Sequence, residues 1–192
     1  MSDTKRVASV EAVFAEVMRL HDHAARTDTA AILRVADAVS RALAAGGKVL
    51  ACGNGGSAAD AQHFAAELVG RFERNRPGLA AVALTTDTSV LTAVANDFGY
   101  DTVFARQVEA LGRPGDVLFG ISTSGGSPNV LAALVAAKAA GMMTVALTGR
   151  DGGPIGAAAD LHINVPSPSA ARAQEVHRTI LHVICGLVEA GV

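Results

Sequence analysis

Short, largely apolar runs alternate along the chain with longer stretches of helical periodicity. The apolar runs span 49–52, 79–84, 117–121, 143–147 and 161–165, and glycine, proline or polar residues bound each of them. Runs of this length and setting predict buried β-strands. Strands that alternate with helices predict an α/β fold, a three-layer sandwich in which helices cover both faces of a mostly parallel five-stranded sheet.

Helices are predicted in two groups. Two of them, over 5–25 and 30–45, precede the first strand, so they are additions to the sheet and candidates for contacts between subunits. Within the sheet domain we expect a helix break at 96–99 and a glycine-rich loop over 148–156. The helices of that domain are predicted after Ser57 and over 89–95, 102–111, 128–140 and 171–189.

The stretch after the first strand predicts an anion site. A run of small residues leads from the strand into an Ala-rich helix whose N-cap is predicted at Ser57: Gly53, Asn54, Gly55 and Gly56. Backbone N–H groups at such a helix start point outward, and the helix dipole favours negative charge there. A phosphate group is the ligand that this arrangement suits.

A second loop of small residues follows the third predicted strand. It carries four hydroxyl groups, those of Ser122, Thr123, Ser124 and Ser127, and Ser127 is also the expected N-cap of the next helix. Because parallel strands end at the same edge of a sheet, we expect both loops there together. Hydroxyl and backbone N–H groups from two loops can enclose a phosphate without a lysine or arginine. Either loop alone could be an ordinary capped turn.

Two other phosphate-binding motifs fit less well. The pattern Gly53-x-Gly55-x-x-Ala58 matches a dinucleotide fingerprint only loosely, since the acidic residue after the next strand, Asp87, comes about 30 residues later rather than about 20. A P-loop is excluded because no Gly-Lys-Ser/Thr follows the glycines. A phosphate site formed by the two loops is the favoured interpretation.

Two helices carry residues suited to proton transfer or metal binding. His63 and Glu67 are four residues apart and so lie on one helix face, where they can exchange protons or bind a metal ion. A solvated surface pair is the alternative. The closing helix adds Gln174 and His182, about 12 Å apart along a straight helix. If both serve one site, their side chains must converge or belong to different subunits.

Composition narrows the class of protein. Apolar residues make up 50 % of the chain and the mean hydropathy is +0.33, so we expect apolar surface to be buried between subunits of a homo-oligomer. A net charge of −2 without a basic tract argues against nucleic-acid binding, and no apolar stretch suits a membrane span. Two cysteines, Cys52 and Cys185, and no apparent signal peptide favour the cytoplasm. We expect a single domain over 1–192, with the two leading helices within 1–46.

Several segments together resemble the phosphoheptose isomerases, a family of sugar isomerase (SIS) domain proteins. They are Cys-Gly-Asn-Gly-Gly-Ser at 52–57, His-Phe-Ala-Ala-Glu at 63–67, Asn-Asp-Phe-Gly at 96–99, Ile-Ser-Thr-Ser-Gly at 121–125 and Gln-Glu-Val-His at 174–177, followed by His182. The serine-rich loop alone indicates only an SIS domain, whereas the pairs His63/Glu67 and Gln174/His182 are more specific. The resemblance runs from about residue 10 to the C-terminus and implies an SIS, flavodoxin-like fold.

The resemblance implies a homotetramer with active sites between subunits and one zinc ion per subunit. The zinc positions of the family match His63, Glu67, Gln174 and His182, and its acid/base residues match Glu67 and His182. Ala171 stands where some family members carry aspartate. The residues expected to bind a sugar-phosphate substrate are Asn54, Gly55, Gly56, Ser57, Glu67, Asn96, Asp97, Ser122, Thr123, Ser124, Ser127 and Gln174.

The resemblance also implies a reaction. The family converts D-sedoheptulose 7-phosphate to D-glycero-D-manno-heptose 7-phosphate, an aldose–ketose isomerisation that supplies heptose for bacterial surface polysaccharides. Two alternatives stay open: an isomerase of another sugar phosphate, and a non-catalytic SIS-domain protein that binds the bacterial replication initiator. The non-catalytic branch lacks the acid at the position of Glu67 and the histidine at that of His182. Both residues are present, which favours the enzyme.

Overall fold

Five strands form a single sheet in the computed structural model, which describes residues 2–191. Met1 and Val192, the two ends of the predicted domain, lie outside the described residues. The strands are β1 (Val49–Gly53), β2 (Ala81–Ala83), β3 (Val117–Ser122), β4 (Met143–Gly149) and β5 (Leu161–Val165). Their order is β2-β1-β3-β4-β5, and the sheet predicted as mostly parallel is parallel throughout.

Helices cover both faces of the sheet, which confirms the predicted three layers. They are α1 (Asp3–Thr27), α2 (Thr29–Ala44), α3 (Gly56–Val69), α4 (Thr88–Phe98), α5 (Ala105–Leu111), α6 (Pro128–Ala139), α7 (Gly153–Ala158) and α8 (Ala170–Ala190). One core lies between the sheet and α1, α2, α3 and α8, and a second lies between the opposite face and α5, α6 and α7. Across residues 2–191, no helix is both long and apolar enough to cross a lipid bilayer.

The helix break expected at 96–99 comes only at the last of these residues. α4 continues to Phe98, and Asp87 caps its start by accepting a hydrogen bond from Val90 N at 2.9 Å. Asparagine and aspartate only mildly disfavour a helix, so the cap and the packing of the apolar face outweigh them. The chain turns at Gly99, whose φ is +87°. The helix predicted over 102–111 therefore begins later, at Ala105, after a short 3₁₀ turn.

Two further boundaries differ from the predictions. α3 begins at Gly56 with Gly55 at the N-cap, so Ser57, predicted as the N-cap, lies buried in the first turn. The predicted loop over 148–156 contains the end of β4 and most of the six-residue helix α7. Proline and glycine disfavour helix interiors, but Pro154 lies in the first turn, where its missing N–H would have no intrahelical partner.

The rotation of α3 about its axis is fixed by side chains that pack on the sheet. Phe64 and Leu68 are fully buried, and the Phe64 ring lies 4.8 Å from the ring of Phe119 on β3. His63 and Glu67 each precede one of these buried residues by one position. Because consecutive residues of a helix are about 100° apart, His63 and Glu67 face sideways toward α8 rather than into the sheet.

Close backbone packing locks the serine-rich loop after β3 to the loop after β4. Gly125 has a φ of +66°, and a Cβ atom there would overlap the carbonyl oxygen of Gly152 and lie 2.8 Å from Gly153 N. Its N–H donates to Ser122 O at 3.0 Å, and its carbonyl accepts from Ile155 N at 3.1 Å. Glycine is the residue that fits this position without strain.

Gly125→Ala should destabilise the protein by about 2–4 kcal/mol, because the left-handed backbone penalty adds to the overlap with Gly152. The next residue supplies a matched control, since a Cβ on Gly126 would meet only Ser124 Oγ, at 3.9 Å. Gly126→Ala should stay within about 0.5 kcal/mol of the wild type. Urea unfolding followed by circular dichroism compares the three proteins. Equal stability of the two variants would contradict the locked loop.

Candidate active site

Two helices bring two histidines and a glutamate to one point. His63 and Glu67 lie one turn apart on α3, and His182 lies on α8. One ligand atom from each lies within 4.8 Å of the others. His63 Nε2 is 2.7 Å from His182 Nε2 and 3.2 Å from Glu67 Oε1. We refer to these three residues as the His–Glu cluster.

The His–Glu cluster is partly shielded from water. The side chains of His63 and Glu67 are 35 % and 19 % exposed. The Phe72 ring packs 5.5 Å from the His182 ring, and the two imidazole rings meet edge to face with their centroids 5.0 Å apart. Partial burial strengthens interactions between charges relative to open water, while the remaining exposure lets a small ligand reach the side chains.

The donor atoms of the cluster fit a zinc ion. Zinc binds imidazole nitrogen and carboxylate oxygen, and catalytic zinc sites commonly use three protein ligands plus water or substrate. Without a cation, the two Nε2 atoms at 2.7 Å can share only one hydrogen, with one ring donating and the other accepting. A cation bound by both rings would use both lone pairs, and Glu67 would supply a third ligand.

Gln174, the fourth predicted ligand, lies at a different place on α8. Its amide packs so closely against Gly56 that a Cβ atom there would overlap it. The eight residues to His182 correspond to a rise of about 12 Å. Gln174 and His182 nevertheless line the same cleft, of about 530 Å³. The structure thus brings three of the four predicted ligands together and sets Gln174 beside the start of α3.

An ion pair that sequence reasoning missed lines the same cleft. Arg178 donates through Nε and Nη2 to Asp60 Oδ1, at 3.1 and 2.6 Å. Asp60 is buried, and within the described chain its Oδ2 has no hydrogen-bond partner. The Arg178 side chain is about half exposed, so its guanidinium is the member of the pair that solvent in the cleft can reach.

Three of the four predicted loop hydroxyls lie together at the end of β3. Ser122 Oγ is 2.9 Å from Ser127 Oγ and 3.3 Å from Ser124 Oγ. Ser124 Oγ also accepts a hydrogen bond from Gly126 N at 3.2 Å. Ser127 occupies the N-cap of α6 as predicted, but its hydroxyl makes no capping bond and joins the serine cluster instead. Thr123 lies half-buried between them in sequence.

A pair of side-chain amides ties the two predicted phosphate loops together. Asn54 Nδ2 donates to Asn129 Oδ1, and Asn129 Nδ2 donates back to Asn54 Oδ1, both at 2.9 Å. Tyr100 OH donates to Asn54 Oδ1 as well, at 3.2 Å. Asn54 precedes α3 and Asn129 lies in the first turn of α6. The pair therefore holds the N-termini of two helices side by side, an arrangement that favours an anion.

The remaining predicted substrate residues fall in two places. Gly55, with a φ of +55°, and Gly56 form the tight entry to α3, and Ser57 is buried in its first turn. Asn96 and Asp97 are exposed in the last turn of α4, where Asn96 Nδ2 donates to Asp97 Oδ1 at 2.8 Å. This hydrogen bond joins the two side chains to each other rather than to the His–Glu cluster or the serines.

Sequence reasoning also missed the carboxylate that holds the end of α3 against α8. Glu189 is buried and accepts hydrogen bonds from the backbone N–H groups of residues 72–74, at 2.8 to 3.0 Å. Burial opposes its ionisation, but those N–H groups and the Arg76 guanidinium outweigh it and lower the pKa of Glu189. A signal was available, because Asn129 lies on an otherwise apolar stripe of α6, and Glu189 lies on a stripe of α8 whose other buried residues are apolar except for His177.

Three other titratable side chains, those of Cys52, Cys185 and His177, are buried in the core. Cys52 and Cys185 are free and buried, and burial raises the pKa of each thiol to about 12, so neither is a nucleophile at neutral pH. His177 is fully buried, with its Nε2 2.8 Å from the carbonyl oxygen of Thr148 on β4. Burial lowers the pKa of His177 and favours its neutral form.

Comparison with known proteins shows to which class of proteins this chain belongs. Residues 13–149 match the model of the SIS domain family. The solved structure of a phosphoheptose isomerase from Neisseria gonorrhoeae has a TM-score of 0.90 and 50 % sequence identity, over 98 % of this chain and 100 % of that one. A phosphoheptose isomerase from Francisella tularensis has a TM-score of 0.92 and 39 % identity, over 99 % and 100 % of the two chains.

Sequence relatives agree with the solved structures. The phosphoheptose isomerase of Roseiflexus sp. (strain RS-1) is 59 % identical over 163 residues, which are 85 % of this chain and 83 % of that protein. The one from Neisseria meningitidis serogroup A is 54 % identical over 184 residues, or 94 % and 93 % of the two proteins. The chain belongs to the phosphoheptose isomerase family of SIS-domain proteins. The family and fold predicted from the residues are thereby confirmed.

Proposed function

We propose that this chain is an aldose–ketose isomerase that converts D-sedoheptulose 7-phosphate to D-glycero-D-manno-heptose 7-phosphate for bacterial heptose synthesis. The observation that carries the proposal is the convergence of His63, Glu67 and His182 in a member of the phosphoheptose isomerase family. The family name indicates the reaction, and the His–Glu cluster supplies the groups that the reaction needs. A cytoplasmic location is part of the proposal, since Cys52 and Cys185 are free.

The phosphate of the substrate is proposed to bind between the two loops, where the Asn54–Asn129 pair holds two helix N-termini together. His63 comes seven positions after Gly56 on α3, a rise of about 10 Å that an open-chain seven-carbon sugar can span. Binding energy from the phosphate would then orient the reacting carbons. The hydroxyl groups proposed to contact the phosphate are those of Ser57, Ser122, Thr123, Ser124 and Ser127.

The substrate roles of the other predicted residues rest on their positions. Gln174 lies beside Gly56 in the cleft that also contains His182, so its amide is proposed to bind hydroxyl groups of the sugar. Asn96 and Asp97 are exposed at the end of α4. Their proposed contact with substrate, like the active site between subunits that the family resemblance implies, involves a second copy of the chain.

The reaction moves a proton from C1 to C2 of the open-chain sugar. Glu67 is proposed to remove the C1 proton while the electron pair forms a C1–C2 double bond and O2 takes a proton from His182. In the second half, His182 takes the proton of O1, whose electron pair forms the C1 carbonyl, and the electron pair of the C1–C2 double bond takes the proton back from Glu67 at C2. Atoms and charge balance, and one positioned acid and one base suffice.

We further propose one zinc ion per subunit, held by His63, Glu67 and His182, with Gln174 as the predicted fourth ligand from the same or another subunit. A bound zinc would polarise the oxygen atoms of the substrate. A carboxylate has two oxygens, so Glu67 can bind the ion through one and accept a proton through the other. The packing of the Phe72 ring on the His182 ring helps to keep the imidazole in place.

The alternatives have less support. The non-catalytic branch lacks the residues equivalent to Glu67 and His182, whereas in this chain both are present and converge. An isomerase of another sugar phosphate would use the same acid–base chemistry. The relatives named phosphoheptose isomerase, at 54 % and 59 % identity, favour the heptose.

Glu67→Gln should lower kcat for sedoheptulose 7-phosphate about 10²–10⁴-fold, because the amide cannot accept the C1 proton. KM should change little, since the phosphate loops are untouched. The matched control is Glu109→Gln, an exposed glutamate on α5, which should retain full activity. An isomerase assay with each protein gives both constants.

Loss of metal must be separated from loss of the base in this experiment. The metal content of each sample is measured by mass spectrometry, and the assay is repeated at saturating zinc and after chelation. Chelation should abolish most activity of the wild type. Near wild-type turnover by zinc-loaded Glu67→Gln protein would remove Glu67 from the mechanism.

We also propose a homotetramer, in line with the family resemblance. Residues 3–15 of α1 are exposed all round, and an unsupported helix of that length is marginal in water. Four apolar side chains form an exposed stripe along α1: Val7, Val10, Phe14 and Met18. A second copy of the chain is the proposed partner of this stripe, because burial of α1 in a subunit interface would supply the support that it lacks within one chain.

Light scattering should report a mass four times the 19.4 kDa of the chain. The double variant Phe14→Glu, Met18→Glu should dissociate into smaller species, because two charges cannot be buried in an apolar interface without a large penalty. Val135→Glu is the control: Val135 is an equally exposed residue, on α6 at the opposite face of the sheet, and the tetramer should persist. A monomeric wild type at micromolar concentration would refute the proposal.

A further inference from the structure

A buried ion pair joins the C-terminal end of α3 to α8, next to the His–Glu cluster. Glu189 and Arg76 are 3 % and 6 % exposed, and Arg76 Nε lies 3.2 Å from Glu189 Oε1. The contact is ionic rather than an aligned hydrogen bond, because Arg76 Nε has no hydrogen-bond partner among residues 2–191. A charged pair this deeply buried contributes little stability over an apolar pair and calls for another explanation.

One partner of the pair is fastened to the helix end that carries Glu67. Arg76 Nη2 donates to the carbonyl oxygen of Glu67 and Nη1 to that of Leu68, both at 2.8 Å. These carbonyls belong to the last turn of α3, where the helix itself supplies no donors. The guanidinium thereby caps the very turn that carries the cluster glutamate.

The other partner is connected to His182. His182, Gly186 and Glu189 are spaced at i, i+4 and i+7 and so share one face of α8. Glu189 Oε1 accepts from Phe72 N at 3.0 Å, and the Phe72 ring packs on the His182 ring, 5.5 Å away. Phe72 also lies over Gly186, where a Cβ would come within 3.5 Å of its ring. Glu189 therefore fixes the backbone whose side chain supports the imidazole.

We propose that Glu189 and Arg76 form a clamp that positions Glu67 and His182, and that this clamp sets the metal affinity and the rate of proton transfer rather than the binding of substrate. The inference rests on the reaction and the metal centre proposed above. Neither clamp residue touches the substrate or the metal in this scheme; both act through the backbone of 67–74 and the Phe72 ring. They are positioning residues.

Two variants weaken the clamp in different ways. In Glu189→Gln the amide offers one acceptor oxygen in place of two, so at least one of the N–H groups of residues 72–74 loses its partner. In Arg76→Lys one ammonium cannot reach Glu189 and the carbonyl oxygens of Glu67 and Leu68 at once. Each variant should raise the dissociation constant for Zn²⁺ about 10–100-fold and lower kcat by a similar factor, with KM within about twofold of the wild type.

The chain contains a matched structural control. Asp116 is buried, accepts hydrogen bonds from Lys48 N and Arg113 N at 2.9 Å, and pairs with Lys48 Nζ. It lies just before β3, and the partners of its hydrogen bonds belong to the segments before β1 and β3 rather than to α3 or α8. Asp116→Asn should lower the melting temperature, as Glu189→Gln does, but leave the Zn²⁺ affinity and kcat unchanged. Metal affinity is measured by competition with a chromogenic chelator, well below each melting temperature.

The affinity and rate measurements distinguish a clamp that positions the cluster from an ion pair that only stabilises the fold. Loss of Zn²⁺ affinity and kcat in the two clamp variants but not in Asp116→Asn supports the clamp. Clamp variants that melt earlier yet bind zinc and turn over like the wild type overturn it, as do equal losses in all three variants. A wild type that binds no divalent metal would refute the proposed metal centre, and the clamp would then be judged on kcat alone.

If neither clamp variant folds, a measurement on the wild type tests whether the clamp is coupled to the metal site. Coupling is reciprocal, so if the clamp stabilises the metal ligands, bound metal must stabilise the clamp. Saturating Zn²⁺ should slow hydrogen–deuterium exchange at the amides of residues 72–74 and leave the amides of Lys48 and Arg113 unchanged. Unchanged exchange at 72–74 on zinc binding would overturn the proposal.

Discussion

The site depends on the rotation at which α3 lies on the sheet. Phe64 and Leu68 are fully buried, and the contact between the Phe64 and Phe119 rings leaves α3 little freedom to turn. A rotation of one residue position would bury His63 and expose Phe64, and the lost burial of that aromatic ring would cost about 1.5–3 kcal/mol. The apolar stripe of α3 thus aims the cluster residues at α8 before any ligand is present.

The order of the strands places the second half of the site. β1 and β3 are neighbours in the sheet although β2 separates them along the chain. The loops that leave them, before α3 and α6, meet at the point where the strand order reverses, and ligands bind at such points in open parallel sheets. One helix, α3, therefore has the proposed phosphate site at its start and the His–Glu cluster two to three turns later. A sugar phosphate is long enough to use both.

The sequence predicted what depends on local pattern and missed what depends on distant contacts. The strands, both small-residue loops and the shared face of His63 and Glu67 follow from periodicity and spacing, and the assignment of His182 to the same site came from the family resemblance. The role of Asn129 became visible only when its amide met that of Asn54, from a loop 75 residues earlier. Glu189 likewise looked like one of many helix glutamates until the fold placed the backbone of residues 72–74 against it. Polar residues on apolar stripes are the signal that merits more weight in such predictions.

His63, Glu67 and His182 are proposed to form one metal centre at which the sugar is isomerised. X-ray diffraction from zinc-loaded crystals, recorded above and below the zinc absorption edge, locates the ion directly. We expect an anomalous peak about 2.0–2.2 Å from one nitrogen of each histidine and one carboxylate oxygen of Glu67, with the two imidazole nitrogens moved apart from their 2.7 Å contact. A zinc peak elsewhere, with His63 and His182 still hydrogen-bonded to each other, would contradict it.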